Sequence, residues 1–133
     1  MVIDTSALIA ILEQEDGARG FAEAIAAAGT RLVSAATVVE AGIVMLARRG
    51  ELGCARLDEL LRDAQVEVIP VTADHARIAR EAYARFGKGR HRAQLNFGDT
   101  FTYALARATG APLLFKGEDF SCTDLELAPP RAR

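Results

Sequence analysis

Short apolar runs that end on polar or turn residues, separated by pairs of helical segments, leave this chain few folds to adopt. Residues 1–3 form such a run and stop at Asp4; 31–34, 66–71 and 113–115 form the others. The intervening stretches carry helical periods. Residues 7–12 read as a helix. Residues 18–28 align Phe21, Ile25 and Ala28 on one face before Gly29. In 37–49, Val39, Gly42, Ile43 and Leu46 recur at i, i+3, i+4 and i+7 up to Gly50, and 52–64 aligns Leu57, Leu60, Leu61 and Ala64. Thr72 is placed to cap a helix bearing Ile78, Ala82 and Phe86. Residues 87–98 are polar, without a period, and read as a loop. Residues 99–109 form a further helix with Phe101, Ala104, Leu105 and Ala108 aligned, and 124–127 read as an edge strand. Strands spaced by helix pairs predict an α/β fold, a three-layer α/β/α sandwich around a mostly parallel sheet. Residues 1–128 are expected to form a single domain and 129–133 a flexible tail.

The bulk numbers agree with one domain. The chain has 133 residues, half of them hydrophobic, enough for a continuous core. With 6% aromatic residues and no Trp, that core must be built from Ala, Leu, Val and Ile. The formal charge of −2 argues against attachment to nucleic acid through a uniformly basic surface. Cys54 and Cys122 are widely separated and match no thiolate zinc spacing; free thiols are expected. The N-terminal segment lacks a basic leader and reads as the first strand and helix, and no run is long enough for a membrane span. A cytoplasmic location is the expectation.

Four carboxylates stand in unusual places. Asp4 follows the first strand, Glu40 lies beside an apolar helix stripe, Asp99 opens a helix, and Asp119 follows the last main strand. Singly, each has a bland role as a helix cap, a turn residue or an exposed helix residue. Together they weigh differently, because parallel sheets place their sites at the carboxyl ends of the strands. Four negative charges gathered there would repel by several kcal/mol per close pair at an intermediate dielectric of about 20. Such a cluster persists where protons are retained or a cation is held. Hard oxygen ligands without His or Cys select Mg²⁺ or Mn²⁺, and the usual chemistry of such pockets is phosphoryl transfer.

The stretches VIDTSALIAIL, LVSAATVVEAGIVMLARRG, FGKGRHRAQLNFGDTFTYALA and PLLFKGEDF, in that order and spanning nearly the whole chain, resemble the VapC branch of the PIN-domain nucleases. The resemblance implies a metal-dependent endoribonuclease, a toxin neutralised by a cognate VapB-type antitoxin, leaving 5′-phosphate and 3′-hydroxyl ends. Asp4, Glu40, Asp99 and Asp119 match the family's acidic quartet. Asp4 and Asp99 are expected as direct Mg²⁺ (or Mn²⁺) ligands, with Glu40 and Asp119 binding a second ion or orienting water. Glu118 beside Asp119 leaves open which of the two faces the site. Thr5 and Ser6 match a hydroxyl pair that hydrogen-bonds the cluster, although Ser6 serves equally well as a helix-capping residue.

Lys88, Arg90, His91 and Arg92 share one glycine-bearing loop before Asp99, and Arg suits phosphate through its planar fork. They are expected to contact the RNA backbone. His75 reads as structural, and Arg48 and Arg49 as complements to a helix dipole. The helices across 37–64 hold more Leu, Ile and Val than a small sheet can cover, which predicts a homodimer and a bound antitoxin peptide. A basic side chain of that peptide would suit the quartet. Alternatives are a PIN-fold binding module with weak catalysis, a DNA-cutting member of the fold, or a metal-dependent phosphatase. The haloacid-dehalogenase-type phosphatase needs a second Asp where Ser6 stands. A receiver domain needs an acceptor Asp where Val71 and Thr72 stand, and no phosphate-binding P-loop is present.

Overall fold

A computed structural model describes residues 1–130. Strands β1 (Val2–Ile3), β2 (Leu32–Ser34), β3 (Glu67–Ile69) and β4 (Leu113–Leu114) form one sheet in the order β3-β2-β1-β4, every pairing parallel. Helices α1 (Thr5–Leu12), α2 (Ala18–Ala27), α3 (Ala35–Asp63), α4 (Ala73–Phe86) and α5 (Phe97–Thr109) connect them, and a 3₁₀ turn, Asp119–Cys122, follows β4. The tail expected at 129–133 lies mostly outside the described residues.

Successive strand side chains point to opposite faces, so a strand covered by helices on both faces, as β1 and β4 are, needs apolar residues at every position. Val2, Ile3, Leu113 and Leu114 are all fully buried. On one face Ile3, Val33 and Leu114 pack with Leu8, Phe21, Ile25, Met45 and Leu57 of α1, α2 and α3. On the other, Val2 and Leu113 pack with Ile78, Phe86, Tyr103 and Leu105 of α4 and α5. Two cores on one sheet make the three layers.

The chain runs outward from β1 through β2 to β3, then crosses to β4 on the far side of β1. This reversal opens a crevice beyond the carboxyl ends of β1 and β4, where parallel α/β folds bind ligands. Asp4 leaves β1 at that point and caps α1, its carboxylate accepting from the Ser6 backbone N–H.

The two helices expected across 37–64 are both present, as the two arms of α3 on either side of Gly50, whose φ of 64° and ψ of −155° only glycine adopts without strain. The apolar row of α3 read from the sequence points outward: Val39, Ile43 and Leu46 are more than half exposed. Thr37, Ala41 and Met45 form the buried face instead. Apolar period alone does not say which side meets the sheet when both sides carry apolar residues.

Helix α5 begins at Phe97 with Asn96 as its cap, so Asp99 is not the cap but the third residue of a capping box. The loop before it ends accordingly earlier, after a single bridge between Gly87 and Leu95. The edge strand expected at 124–127 reduces to one bridge, Leu113 with Leu127. That segment is held by side chains instead: Tyr103 Oη donates to Asp124 Oδ1 at 2.6 Å and Arg85 Nη1 to Oδ2 at 3.0 Å. Cys54 and Cys122 are both free. Among the described residues no helix is long and apolar enough to cross a membrane.

Candidate active site

Asp4, Glu40, Asp99 and Asp119 all line one cavity of about 370 Å³ at the switch point, together with Thr5 and Ser6. Each arrives by a different route. Asp4 ends β1, Glu40 sits on the second turn of α3, Asp99 on the first turn of α5, and Asp119 opens the 3₁₀ turn after β4. Of the adjacent acids, Asp119 lines the cavity and Glu118 does not.

Hydrogen bonds orient three of the four. Asp4 Oδ2 accepts from the Ser6 backbone N–H at 3.0 Å and the Ser6 hydroxyl at 2.7 Å, while Oδ1 accepts from Thr102 Oγ1 at 2.8 Å. The Ser6 oxygen in turn accepts from the Lys116 backbone N–H at 2.9 Å, tying the exit of β1 to that of β4. Ser6 therefore both caps α1 and touches the cluster. The Thr5 hydroxyl donates to Glu40 Oε1. Asp99 Oδ2 accepts from the Asn96 backbone N–H at 2.9 Å; among the described residues Oδ1 has no protein donor.

Gly98 makes room for Glu40. A β-carbon at position 98 would run into the Glu40 carboxylate, Oε2 first. Residue 98 must be glycine for α3 and α5 to bring Glu40 and Asp99 to the same cavity.

Asp99 is the electrostatic centre. Burial raises its pKa from 3.8 to about 7; the Asn96 backbone hydrogen bond opposes the rise, and the charges of Asp4, Asp119 and Glu40 add to it. The folded state thus holds this proton more tightly than the unfolded chain. The resulting stability is present at low pH and lost as pH rises through 7. In chelator, Asp99→Asn is therefore expected to melt above the wild type at pH 8, with the gap closing toward pH 5. A gap of equal size at both pH values would contradict it.

Among the described residues no three His, Cys, Asp or Glu side chains stand close enough together to enclose an ion. The donor set nevertheless suits Mg²⁺ or Mn²⁺. Mg²⁺ keeps most of its waters and needs only one or two direct carboxylates, and every donor here is a hard oxygen. A buried carboxylate raised by its acidic neighbours is also where a cation most relieves the electrostatic strain.

The basic loop residues lie outside the acidic cavity. Lys88 and Arg90 line a separate, larger cleft of about 750 Å³ between α4 and α5, with Tyr83, Phe97 and Phe101; Asn96 borders both cavities. Arg92 is exposed and lines neither. His91 accepts the Ala93 backbone N–H through Nδ1 at 3.0 Å and packs edge-on against Phe86, a loop-shaping role. The cations at the acidic cavity are Arg48 and Lys116. Arg48 reads as a helix-end residue in sequence; only the fold brings it there. Lys116 is paired with Glu15 at 2.9 Å. Asn96 and Thr102 carry no sequence signal beyond Asn before a helix.

The PIN-domain family model matches residues 1–125. Ribonuclease VapC30 of Mycobacterium tuberculosis is 53% identical over 125 residues, covering 94% of this chain and 95% of that protein. Among solved structures, M. tuberculosis VapC20, a sarcin–ricin-loop-cleaving toxin, superposes with a TM-score of 0.79 over 97% of this chain and 98% of its own, at 20% identity. VapBC2 from Rickettsia felis, bound to a DNA fragment from its promoter, gives 0.75 over 96% of each chain at 19% identity. These structures share the fold seen here. The family match and the close relative agree, and the chain belongs to the VapC ribonucleases of the PIN-domain family.

Proposed function

We propose that the chain hydrolyses RNA phosphodiester bonds with the help of a divalent cation, Mg²⁺ or Mn²⁺, held at the acidic cavity. The observation that carries this reading is the convergence of Asp4, Glu40, Asp99 and Asp119 from four elements onto one cavity. Asp4 and Asp99 are the proposed direct ligands, with Glu40 and Asp119 binding a second ion or orienting water. A bound divalent ion lowers the pKa of a coordinated water and offsets the charge that gathers on the phosphoryl group.

The residues of this chain do the positioning. Ser6 and Thr102 hold the Asp4 carboxylate, and Thr5 holds that of Glu40. Asn96 fixes one oxygen of Asp99 and leaves the other for the ion. Arg48 and Lys116 are the proposed nearest phosphate contacts. Lys88, Arg90 and Arg92 meet the RNA backbone farther out. The overall −2 does not oppose this, because neutralising four site carboxylates turns the remaining formal charge positive.

The proposed partners are a VapB-type antitoxin and a second copy of the chain. Uncovered apolar surface supports them: Val39, Ile43, Leu46 and Leu52 on α3, and Phe97, which is 77% exposed at the larger cleft.

The test is cleavage of a synthetic RNA by antitoxin-free protein. Chelator is expected to abolish cleavage, and Mg²⁺ or Mn²⁺ to restore it, with 5′-phosphate ends on the products. Undiminished cleavage in chelator, with 2′,3′-cyclic phosphate ends, would refute the metal-dependent reading.

A further inference from the structure

Beneath the acidic cavity lies a pair of buried hydroxyls that neither the carboxylate quartet nor its cations account for. Thr37 and Thr102 are 2% and 1% exposed, and their Oγ1 atoms lie 3.3 Å apart across α3 and α5. Thr102 Oγ1 also lies 2.8 Å from Asp4 Oδ1, a contact likewise buried.

Donor counting gives this chain of contacts a direction. A threonine hydroxyl has one proton. The carboxylate of Asp4 can only accept, so the Thr102 proton is committed to it. The contact between the two threonines must then run from Thr37 as donor to Thr102 as acceptor. The order is Thr37 to Thr102 to Asp4.

The placement along the helices matters as much. Thr37 precedes Glu40 by one helical turn on α3, and Thr102 follows Asp99 by one turn on α5. Residues three apart share a helix face. The two hydroxyls are thus the next layer down on the same faces that present Glu40 and Asp99, and they meet at the carboxylate that ends β1. Water cannot take over the Thr102 contact, because the residue is closed off from solvent. Without it, Asp4 would keep donors on Oδ2 alone, both from Ser6, and Oδ1 would have none from the surrounding wall.

We propose that Thr37 and Thr102 are positioning residues, a one-way hydroxyl relay that aims Asp4 and sets the spacing of the three elements bearing Asp4, Glu40 and Asp99. The relay rests on the reading of the cavity as a divalent-cation site. Its effect falls on cation affinity and turnover, since neither hydroxyl lines the cavity where RNA would bind.

Isothermal titration of Mn²⁺ into the full chain tests it, using Thr102→Val, Thr102→Ser and Thr37→Val. Thr102→Val keeps the shape and removes the donor. It is expected to weaken Mn²⁺ binding by about 10- to 100-fold, the usual effect of losing a partner that orients a ligand, and to lower kcat with KM for RNA unmoved. Thr102→Ser restores the hydroxyl and is expected to stay close to wild type. Thr37→Val removes only the outer link, so its loss is expected to be smaller than that of Thr102→Val but measurable.

Wild-type affinity in a folded Thr102→Val protein would overturn the relay, as would an equal loss in Thr102→Ser. If Thr102→Val does not fold, Thr37→Val decides alone, and unchanged Mn²⁺ affinity there counts against the relay. Failure of the wild type to bind Mn²⁺ would instead overturn the cation reading of the cavity. The relay is then judged by melting temperature in chelator. The drop caused by Thr102→Val (or Thr37→Val) is expected to be at least halved in an Asp4→Ala background, and equal drops in both backgrounds would refute the coupling.

Discussion

Asp99→Asn is expected to cut RNA at least about a thousandfold more slowly than the wild type while folding normally, because losing several kcal/mol of charge stabilisation at the reacting phosphate costs about that much rate. The substitution removes charge and almost no volume. Its amide oxygen still accepts the Asn96 backbone N–H, so the capping box at the start of α5 keeps that link. Asp4→Asn should lose activity similarly, although its amide group introduces a donor where Ser6 and Thr102 already donate. The decisive comparison is kcat on a defined RNA against the melting temperature. Full activity in a folded Asp99→Asn protein would remove Asp99 from the proposed ligand set. An activity loss matched by general unfolding would say nothing about charge, which is why both quantities are measured.

Gly98→Ala should separate stability from activity just as sharply. Alanine is the better helix former, by up to about 1 kcal/mol in a helix interior, so α5 should not suffer from the change itself. The new methyl group, however, occupies the place of the Glu40 carboxylate. That carboxylate ends a flexible side chain and can swing away at little cost to the fold. A misplacement of about 1 Å at a catalytic group can cost about a hundredfold in rate. The expected result is an unchanged or slightly higher melting temperature with kcat/KM reduced by roughly that factor. Gly42→Ala is the control. Its β-carbon would meet only Leu57 Cδ2, at 3.9 Å, an ordinary contact, and activity should persist. Equal activity in the wild type and Gly98→Ala would mean that Glu40 has no fixed position in the reaction.

Much of this protein was determined along the chain. The alternation of apolar runs with helix pairs dictated a parallel three-layer sandwich, because a strand buried on both faces must be apolar throughout and parallel strands need crossovers. Gly50 and Thr72 marked a helix break and a helix cap through local sterics and hydrogen bonding. Asp4, directly after the first strand, marked the edge of the sheet where a site belongs. Other features belong to the tertiary structure alone. Which face of α3 is buried depended on what packs against it, since apolar residues lie on both. The pKa of Asp99 depends on burial and on Asp4, Glu40 and Asp119, none of them near it in the chain. The need for glycine at 98 arises from Glu40, and the donor to Asp4 Oδ1 comes from a residue 98 positions away. Arg48 joins the acidic cavity while Lys88 and Arg90 face another cleft. Local pattern encodes period, turn and cap because those act within a few residues; distances between remote side chains are set only when two cores close on opposite faces of one sheet.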